Sequence, residues 1–383
     1  MKINIVTRLF VFLLLMKAAA VNAQFGIVKG NSFIEFSGAI VTDYNYRFYP
    51  AAKTDHHKNG FTPDVMEFQL KGVYAKNFRY CLDVNFANLI PADTTRLDYY
   101  VDPALIREAY VSYSGLRRFA DIKVGYMKLP FSRSSITEFA ESPFLQRGEI
   151  ARGDVFSRRD IGIQLDRELM NRRLFIRAGA YTGLGEGSMG GDNDASGKLL
   201  YVGRIDYSWP GRYRFSEYDL SVTPLPVFSV GVNGMYEEKE SDAGVDYGIQ
   251  TINGKKSGYG FNADAKFMGF TAHFEALQFR MVPNDTLRLL GKPTDYFLAG
   301  GIIASVNYYC KCLHSVFAVR YDELNPDDLT LHDTERTISF AYNYLISQEN
   351  ACVKIQYWYH LDNDLTHEPW TPNQLRVGFQ LLF

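Results

Sequence analysis

From residue 33 onward, apolar and polar side chains alternate along the chain with a period of two. Ile34, Phe36, Ile40, Tyr44, Tyr46 and Phe48 fall on one face of an extended segment, with Glu35, Ser37, Asp43, Asn45 and Arg47 on the other. The scheme returns at 79–88, where Tyr80, Leu82, Val84 and Phe86 oppose Arg79, Asp83 and Asn85. It returns again at 160–166, at 259–267 and at 336–346. Strict alternation is the mark of a strand with two unlike faces. It predicts sixteen strands, near 32–49, 63–76, 78–90, 103–114, 119–129, 159–168, 172–182, 198–208, 226–237, 258–267, 270–281, 294–310, 313–323, 334–346, 351–361 and 373–383.

The connectors carry a second periodicity. Long ones fall at 50–62, 91–102, 130–158, 183–197, 238–257, 282–293, 324–333 and 362–372. Between them lie short ones such as Lys76-Asn77, Met268-Gly269, Lys311-Cys312 and Ser347 to Asn350. The segment 209–225 breaks the rule, being long where a short turn is due. Strands of about 10 residues with aromatics at their ends, joined by long and short connectors in turn, suit an up-and-down barrel in an outer membrane. The expected fold is therefore all-β, a 16-stranded antiparallel transmembrane β-barrel. Inside hydrocarbon every backbone N–H and C=O must be paired within the protein, and a closed sheet does this. A barrel of this size leaves an aqueous channel, so its inward faces can be polar. A mean hydropathy of -0.18 is then compatible with a membrane protein.

The chain end agrees. Leu375, Val377, Phe379, Leu381 and Phe383 alternate with Arg376, Gly378 and Gln380. A last strand of this kind ending in Phe resembles the recognition signal that outer-membrane barrels present to the barrel-assembly machinery, with Phe379, Leu381 and Phe383 as its apolar positions.

At the other end, Lys2 and Arg8 precede the apolar run Leu9 to Met16, and Val21-Asn22-Ala23 offers small residues before Gln24. Residues 1–23 read as a secretory signal peptide and 24–383 as the exported barrel, placed in the cell outer membrane among lipid and lipopolysaccharide. Aromatics make up 15% of the 383 residues, an excess that two interfacial girdles would absorb. Lys+Arg (41) and Asp+Glu (43) nearly balance, which excludes a basic nucleic-acid binder. Four cysteines are too few for a disulfide scaffold. Cys310 and Cys312 flank a single residue, a spacing ill suited to a mutual bond. No His/Cys pair has ligand spacing, so neither a metal nor a cofactor is expected. His56, His57, His360 and His367 read as solvated loop residues, and Trp358 and Trp370 as interfacial or mouth aromatics. No Ser-His-Asp arrangement has support from its context, so no enzymatic activity is expected.

The longest connector, 130–158, is densely charged. Val124-Gly125-Tyr126-Met127-Lys128-Leu129-Pro130-Phe131 before it, and Arg159-Asp160-Ile161-Gly162-Ile163-Gln164-Leu165 after it, resemble in wording, order and distance two motifs of the phosphate-selective porin O and P family. The resemblance is motif-specific over 119–183. It implies a usually trimeric outer-membrane porin whose third loop folds into the lumen and narrows it, with basic residues drawing anions through. The expected function is passive diffusion of small hydrophilic solutes, biased to anions or phosphate. The alternative is a plugged barrel that binds ligands or adheres through its long loops. The candidates for the constriction and anion contacts are Lys123 on the wall and Lys128, Arg133, Arg147, Arg152, Arg158 and Arg159 at or in the third connector. Two readings of that cluster stay open: an anion path, or arginines paired with neighbouring acids. The inward faces as a whole carry as many acids as bases, so any selectivity must be local, within the roughly 8 Å over which salt leaves exposed charge unscreened.

Overall fold

The computed structural model describes residues 25–48, 59–89, 105–116, 119–153, 155–186, 196–240, 252–284, 287–289, 292–330, 333–361 and 372–383. Its strands are β1 (Phe25–Lys29), β2 (Ser32–Phe48), β3 (Gly60–Tyr74), β4 (Phe78–Asn85), β5 (Ile106–Tyr113), β6 (Asp121–Lys128), β7 (Arg159–Leu169), β8 (Leu174–Tyr181), β9 (Leu200–Trp209), β10 (Val227–Lys239), β11 (Gly254–Phe267) and β12 (Phe270–Pro283). There follow a small hairpin of β13 (Leu287–Leu289) and β14 (Lys292–Thr294), then β15 (Phe297–Cys310), β16 (Ser315–Asn325), β17 (Glu335–Ser347), β18 (Ala351–His360) and β19 (Asn373–Leu382).

From β2 to β12 and from β15 to β19, each strand pairs antiparallel with its neighbour in the chain. β12 pairs with β15 across the small hairpin, and β19 returns to β2 over Asn373↔Phe48 to Leu382↔Ala39. The ring of sixteen strands is closed. The predicted segments match these strands to within a few residues. The sixteenth ends with Phe383 bonded to the first: Gly38 N–H donates to the Phe383 carbonyl at 2.6 Å, and Phe383 N–H to the Gly38 carbonyl at 3.0 Å. The alternation analysis did not include β1. It forms a hairpin on the N-terminal part of β2, Phe25↔Phe36 to Lys29↔Ser32, in line with the end of β19.

The two faces of the sheet are inverted relative to a soluble protein. Ile40, Tyr44, Tyr46 and Phe48 are exposed, whereas Asp43, Asn45 and Arg47 are buried. The same inversion sets exposed Phe340, Tyr342 and Tyr344 against buried Ser339 and Asn343. Exposed rings gather at both ends: Tyr74, Phe119, Trp209 and Phe270 at the short-turn end, and Phe48, Phe61, Tyr201 and Tyr259 at the other. These are the two girdles expected at the membrane interfaces.

The inward face is not polar throughout. On β12, Thr271, His273 and Glu275 point inward, but so do Leu277, Phe279 and Met281, while Gln278 and Arg280 turn outward. The alternation reverses its sense near the long-connector end. These inner apolar residues pack with Leu129, Phe131, Ile150, Val155 and Phe156 of the third connector in one buried cluster. Phe131, Phe156 and Phe279 form its centre, with ring centroids 5.1 to 5.7 Å apart.

Two expectations need correction. Trp358 is no interfacial aromatic: it is buried on the inner face of β18, with the Arg152 guanidinium 4.5 Å from its ring centroid. His360 is no solvated loop residue: it is buried and stacks on Trp358 at 5.8 Å. Cys310 and Cys312, whose spacing is ill suited to a mutual bond, are free thiols at the β15–β16 turn, Sγ to Sγ 3.0 Å. His56, His57, His367, Trp370 and residues 1–23 lie outside the described residues.

Candidate functional site

The two motif segments are adjacent strands. β6 pairs with β7 so that Gly125 lies opposite Gly162, Tyr126 opposite Ile161 and Lys128 opposite Arg159. Gly125 has φ +132°, and a Cβ there would overlap the Ala109 carbonyl oxygen on β5; a Cβ at Gly162 would overlap the Ala180 carbonyl oxygen on β8. Both glycines therefore serve close backbone approach. The strands they join are the two stems of the third connector.

Between the stems, residues 129–158 reach the inner wall on many strands. Short helix α1 (Arg133–Ile136) is capped by Ser132, whose Oγ accepts the Ser135 N–H. The Glu275 carboxylate of β12 accepts the N–H groups of Arg133 at 2.5 Å and Ser134 at 2.9 Å, placing a negative charge on amides with no helical partner. Further along, Lys354 Nζ donates to the Ser142 carbonyl at 2.7 Å, and Asn343 donates to the Pro143 carbonyl at 3.0 Å. Leu145 N–H donates to the Gln356 side chain at 2.7 Å, and Arg320 to the Gln146 carbonyl at 2.9 Å. Arg204 of β9 donates to the Phe131 carbonyl at 2.7 Å. Much of the inward positive charge of β9 to β19 is thus engaged with connector backbone.

The candidate cations fall into three groups. Arg152 pairs with Glu149 at 2.6 Å, and Arg158 and Arg159 share Glu186, at 3.0 and 3.2 Å. Arg133 lies 3.6 Å from Asp264 and stacks 4.2 Å from the Phe215 ring centroid. Arg133, Arg158 and Arg159 are buried and Arg152 partly buried, each with a carboxylate close by. Lys128 and Lys123 form the second group. Lys128 Nζ lies 2.7 Å from Glu138 and 3.7 Å from Glu108; Lys123 Nζ lies 3.9 Å from Asp166 and 4.6 Å from the Tyr110 ring centroid. Burial raises the Glu138 carboxyl, but Lys128 outweighs it and brings the group below its ordinary range. Arg147 stands alone. Its guanidinium donates to the Ser134 and Thr137 carbonyls, and among the described residues no carboxylate lies within 4.0 Å of it. Burial, then the charges of Arg158 and Arg159, push it down to about 10.

Glu186, Glu275 and Asp264 complete this arrangement and were not among the residues singled out by sequence. Glu186 lies in a glycine-rich connector far along the chain, and nothing local marks it. Glu275 and Asp264 stand on strands far along the chain from Arg133, so no local pattern matches them to it. The anomalous segment 209–225 also acquires a place. Glu217 N–H donates to the Glu141 carbonyl at 2.9 Å, and Ser142 Oγ to the Glu217 carboxylate at 2.7 Å. Tyr218 Oη donates to the Ser142 carbonyl at 2.8 Å. Lys266 Nζ donates to the Arg214 and Tyr218 carbonyls, and Asn307 to the Glu217 carbonyl. The segment bonds to the third connector on one side and to inner-wall side chains of β11 and β15 on the other. Asp219 fixes its last turn by accepting from Thr223 and Gly269 N–H groups.

Residues 34–209, β2 through β9, match the family described as phosphate-selective porin O and P. No curated protein sequence matches the chain. Among solved structures, OmpT of Vibrio cholerae is similar with a TM-score of 0.59 at 9% identity, covering 93% of this chain and 99% of that one. An anion-selective porin from Comamonas acidovorans has a TM-score of 0.58 at 11% identity, covering 92% of this chain and 100% of that one. The outer membrane channel DcaP of Acinetobacter baumannii has 0.55 at 14%, covering 94% and 100%. Identities this low speak for the fold alone; the family match adds kind. The closed sixteen-strand barrel with lipid-facing aromatics has the fold of an outer-membrane porin, and its strands β2 to β9 match the phosphate-selective porin O and P family.

Proposed function

We propose that this porin passes small hydrophilic solutes by diffusion with a local preference for anions, along the β3–β8 side of its bore. The observation that carries this reading is the division of the inner wall. The inner faces of β9 to β19 are covered by the third connector and by 209–225, leaving Lys354, Asn343 and Gln356 buried. On the other side Lys123 remains half-buried and Lys71 exposed. The third connector, on this reading, lies inside the bore and sets its narrowest part. Lys123, 3.9 Å from its nearest carboxylate, and Arg147, with none within 4.0 Å among the described residues, are the cations most able to meet a passing ion, while Lys128 is held by Glu138. Arg133, Arg152, Arg158 and Arg159 hold the connector in place through their carboxylates. Buried pairs of this kind fix geometry more than they add stability.

Three further elements belong to the same proposal. The chain assembles as a homotrimer, as Vibrio cholerae OmpT does in its trimer form. Residues 1–23 direct export and are removed. Phe379, Leu381 and Phe383 present the last strand to the barrel-assembly machinery, with lipopolysaccharide outside the finished barrel. Planar-bilayer recording tests the central claim: single-channel conductance, and a reversal potential of anion-selective sign in a KCl gradient. A cation-selective reversal potential removes the anion preference. The extensive cover over β9 to β19 also favours a second reading, a plugged barrel that binds ligands through its long connectors. A correctly folded, non-conducting protein would select that one.

A further inference from the structure

The cations of the third connector are largely matched by carboxylates. A second basic cluster, at the short-turn end of the bore, is not. There the β7–β8 turn, the start of β8, the end of β9 and the segment 210–215 enclose a cavity of about 680 Å³. Five arginines line it, Arg172, Arg173, Arg177, Arg212 and Arg214, with Glu141, Glu168 and Asp206 as the acids. The acids are divided unequally. Arg172 lies 3.1 Å and Arg212 3.5 Å from Glu168, and Arg214 lies 3.4 Å from Glu141. Those three guanidinium groups are well exposed, so their pairs are weak and exchange readily. Asp206 is taken by Arg204, at 2.6 Å. Among the described residues, no carboxylate lies within 4.0 Å of Arg173 or Arg177.

Arg177 is oriented. Its guanidinium stacks 4.2 Å from the Phe175 ring centroid, and it sits directly across from Arg204 on β9 and Asp166 on β7. Arg173 is fixed at its backbone: its carbonyl accepts the Ser208 N–H at 2.7 Å. The floor is aromatic, with Phe175, Tyr213 and Phe215. Planar, permanently charged forks over aromatic rings suit oxyanions carried on a carbon skeleton. The volume lies in the range of small-molecule sites, about 300–1,000 Å³, larger than a single inorganic anion needs.

The geometry points to a vestibular binding site for organic polyanions, solutes bearing two or more phosphate or carboxylate groups, held by Arg173 and Arg177 on the wall and closed by Arg212 and Arg214 of the 210–215 segment. The site rests on the porin reading and lies apart from the third connector. It gives the anomalous β9–β10 connector a purpose: it brings two arginines to a wall that already carries two. Because the turn end of such a barrel faces the periplasm, the site meets solutes as they leave the bore or approach from inside the cell.

The test uses the full-length exported protein in planar bilayers, with ATP as the organic polyanion and inorganic phosphate as the small one. ATP added to one side of the channel should block the KCl current at lower concentration than from the other, and at lower concentration than phosphate. The double variant Arg173→Gln/Arg177→Gln should raise the half-blocking ATP concentration at least tenfold. Heat-modifiable migration in gels confirms that the variant has folded. Equal block of parent and variant, or phosphate blocking as well as ATP, overturns the site. If the folded barrel does not conduct, the porin reading fails, and equilibrium binding of a fluorescent ATP analogue to the detergent-solubilised parent and variant decides the site by itself: a tenfold weaker variant supports it, and equal affinities overturn it.

Discussion

Replacing Glu275 by Ala separates the third connector from the wall without touching the barrel. The carboxylate is buried and accepts the N–H groups of Arg133 and Ser134 at 2.5 and 2.9 Å. A hydrogen bond to a charged group contributes about 1.5–3 kcal/mol, so the pair is worth about 3–6 kcal/mol. Some of that returns when water reaches the two amides of a lifted connector, and Asp264 still faces Arg133 at 3.6 Å. A net loss of about 3 kcal/mol is a reasonable figure, roughly a hundredfold in the ratio of docked to undocked connector. The far half should stay in place. Ile150 and Phe156 are fully buried, and each such side chain stabilises its docking by about 1.5–3 kcal/mol. The strand ladder loses nothing, so heat-modifiable migration should be that of the parent. The prediction is a barrel of unchanged stability whose single-channel conductance rises and fluctuates, and whose connector is cut faster by added protease. Glu275→Gln keeps one acceptor oxygen and should fall between. Parent-like conductance and protease resistance in Glu275→Ala would refute the placement of this connector within the bore.

The other predictions are shorter. Lys123→Ala should lower the anion-to-cation permeability ratio from reversal potentials, whereas Arg152→Ala should leave that ratio near the parent value and instead change Trp358 fluorescence, because its guanidinium covers that ring. Burial, with the Glu138 charge adding to it, raises Glu141 above the ordinary carboxylate range. It therefore takes up its proton earlier than an ordinary carboxyl as pH falls, frees Arg214, and should make the channel more anion-selective on acidification; an anion-to-cation ratio that decreases as the pH is lowered contradicts this. In the folded barrel a maleimide should label exposed Cys312 quickly and leave buried Cys81 and Cys352 unmodified until denaturation, read by intact mass. Phe383→Ala should cut the amount of barrel recovered from outer membranes severalfold while urea-unfolded protein still folds into detergent, since the Gly38–Phe383 hydrogen bonds are made by backbone alone.

The barrel was legible because lipid and water impose a rule that acts on single residues. Every second side chain must suit hydrocarbon, and the pattern of Tyr44, Tyr46 and Phe48 against Asp43, Asn45 and Arg47 records it directly. The exceptions to the rule carried as much information as the rule itself. On β12, Leu277, Phe279 and Met281 take the positions that should be polar, and Gln278 and Arg280 those that should be apolar. An inward face that turns apolar needs something apolar to cover it, and Phe131, Ile150, Val155 and Phe156 stand ready within a connector whose charges drew attention first. The pairing of those charges could not be read, because it is settled by contacts distant in sequence: Arg158 and Arg159 meet Glu186, and Arg133 meets Asp264 and Glu275. The same holds for 209–225. Its length marked it as irregular, but only its contacts with Lys266 of β11, Asn307 of β15 and the third connector show why. Local alternation specifies the closed sheet, and the contacts of its buried face are specified by complementarity between segments distant in sequence. Selectivity in this porin must therefore be sought by changing one side of such a contact at a time, and where a cation already has its carboxylate, as Arg152 has Glu149, removing it should disturb the packing of the bore before it disturbs the ions that pass.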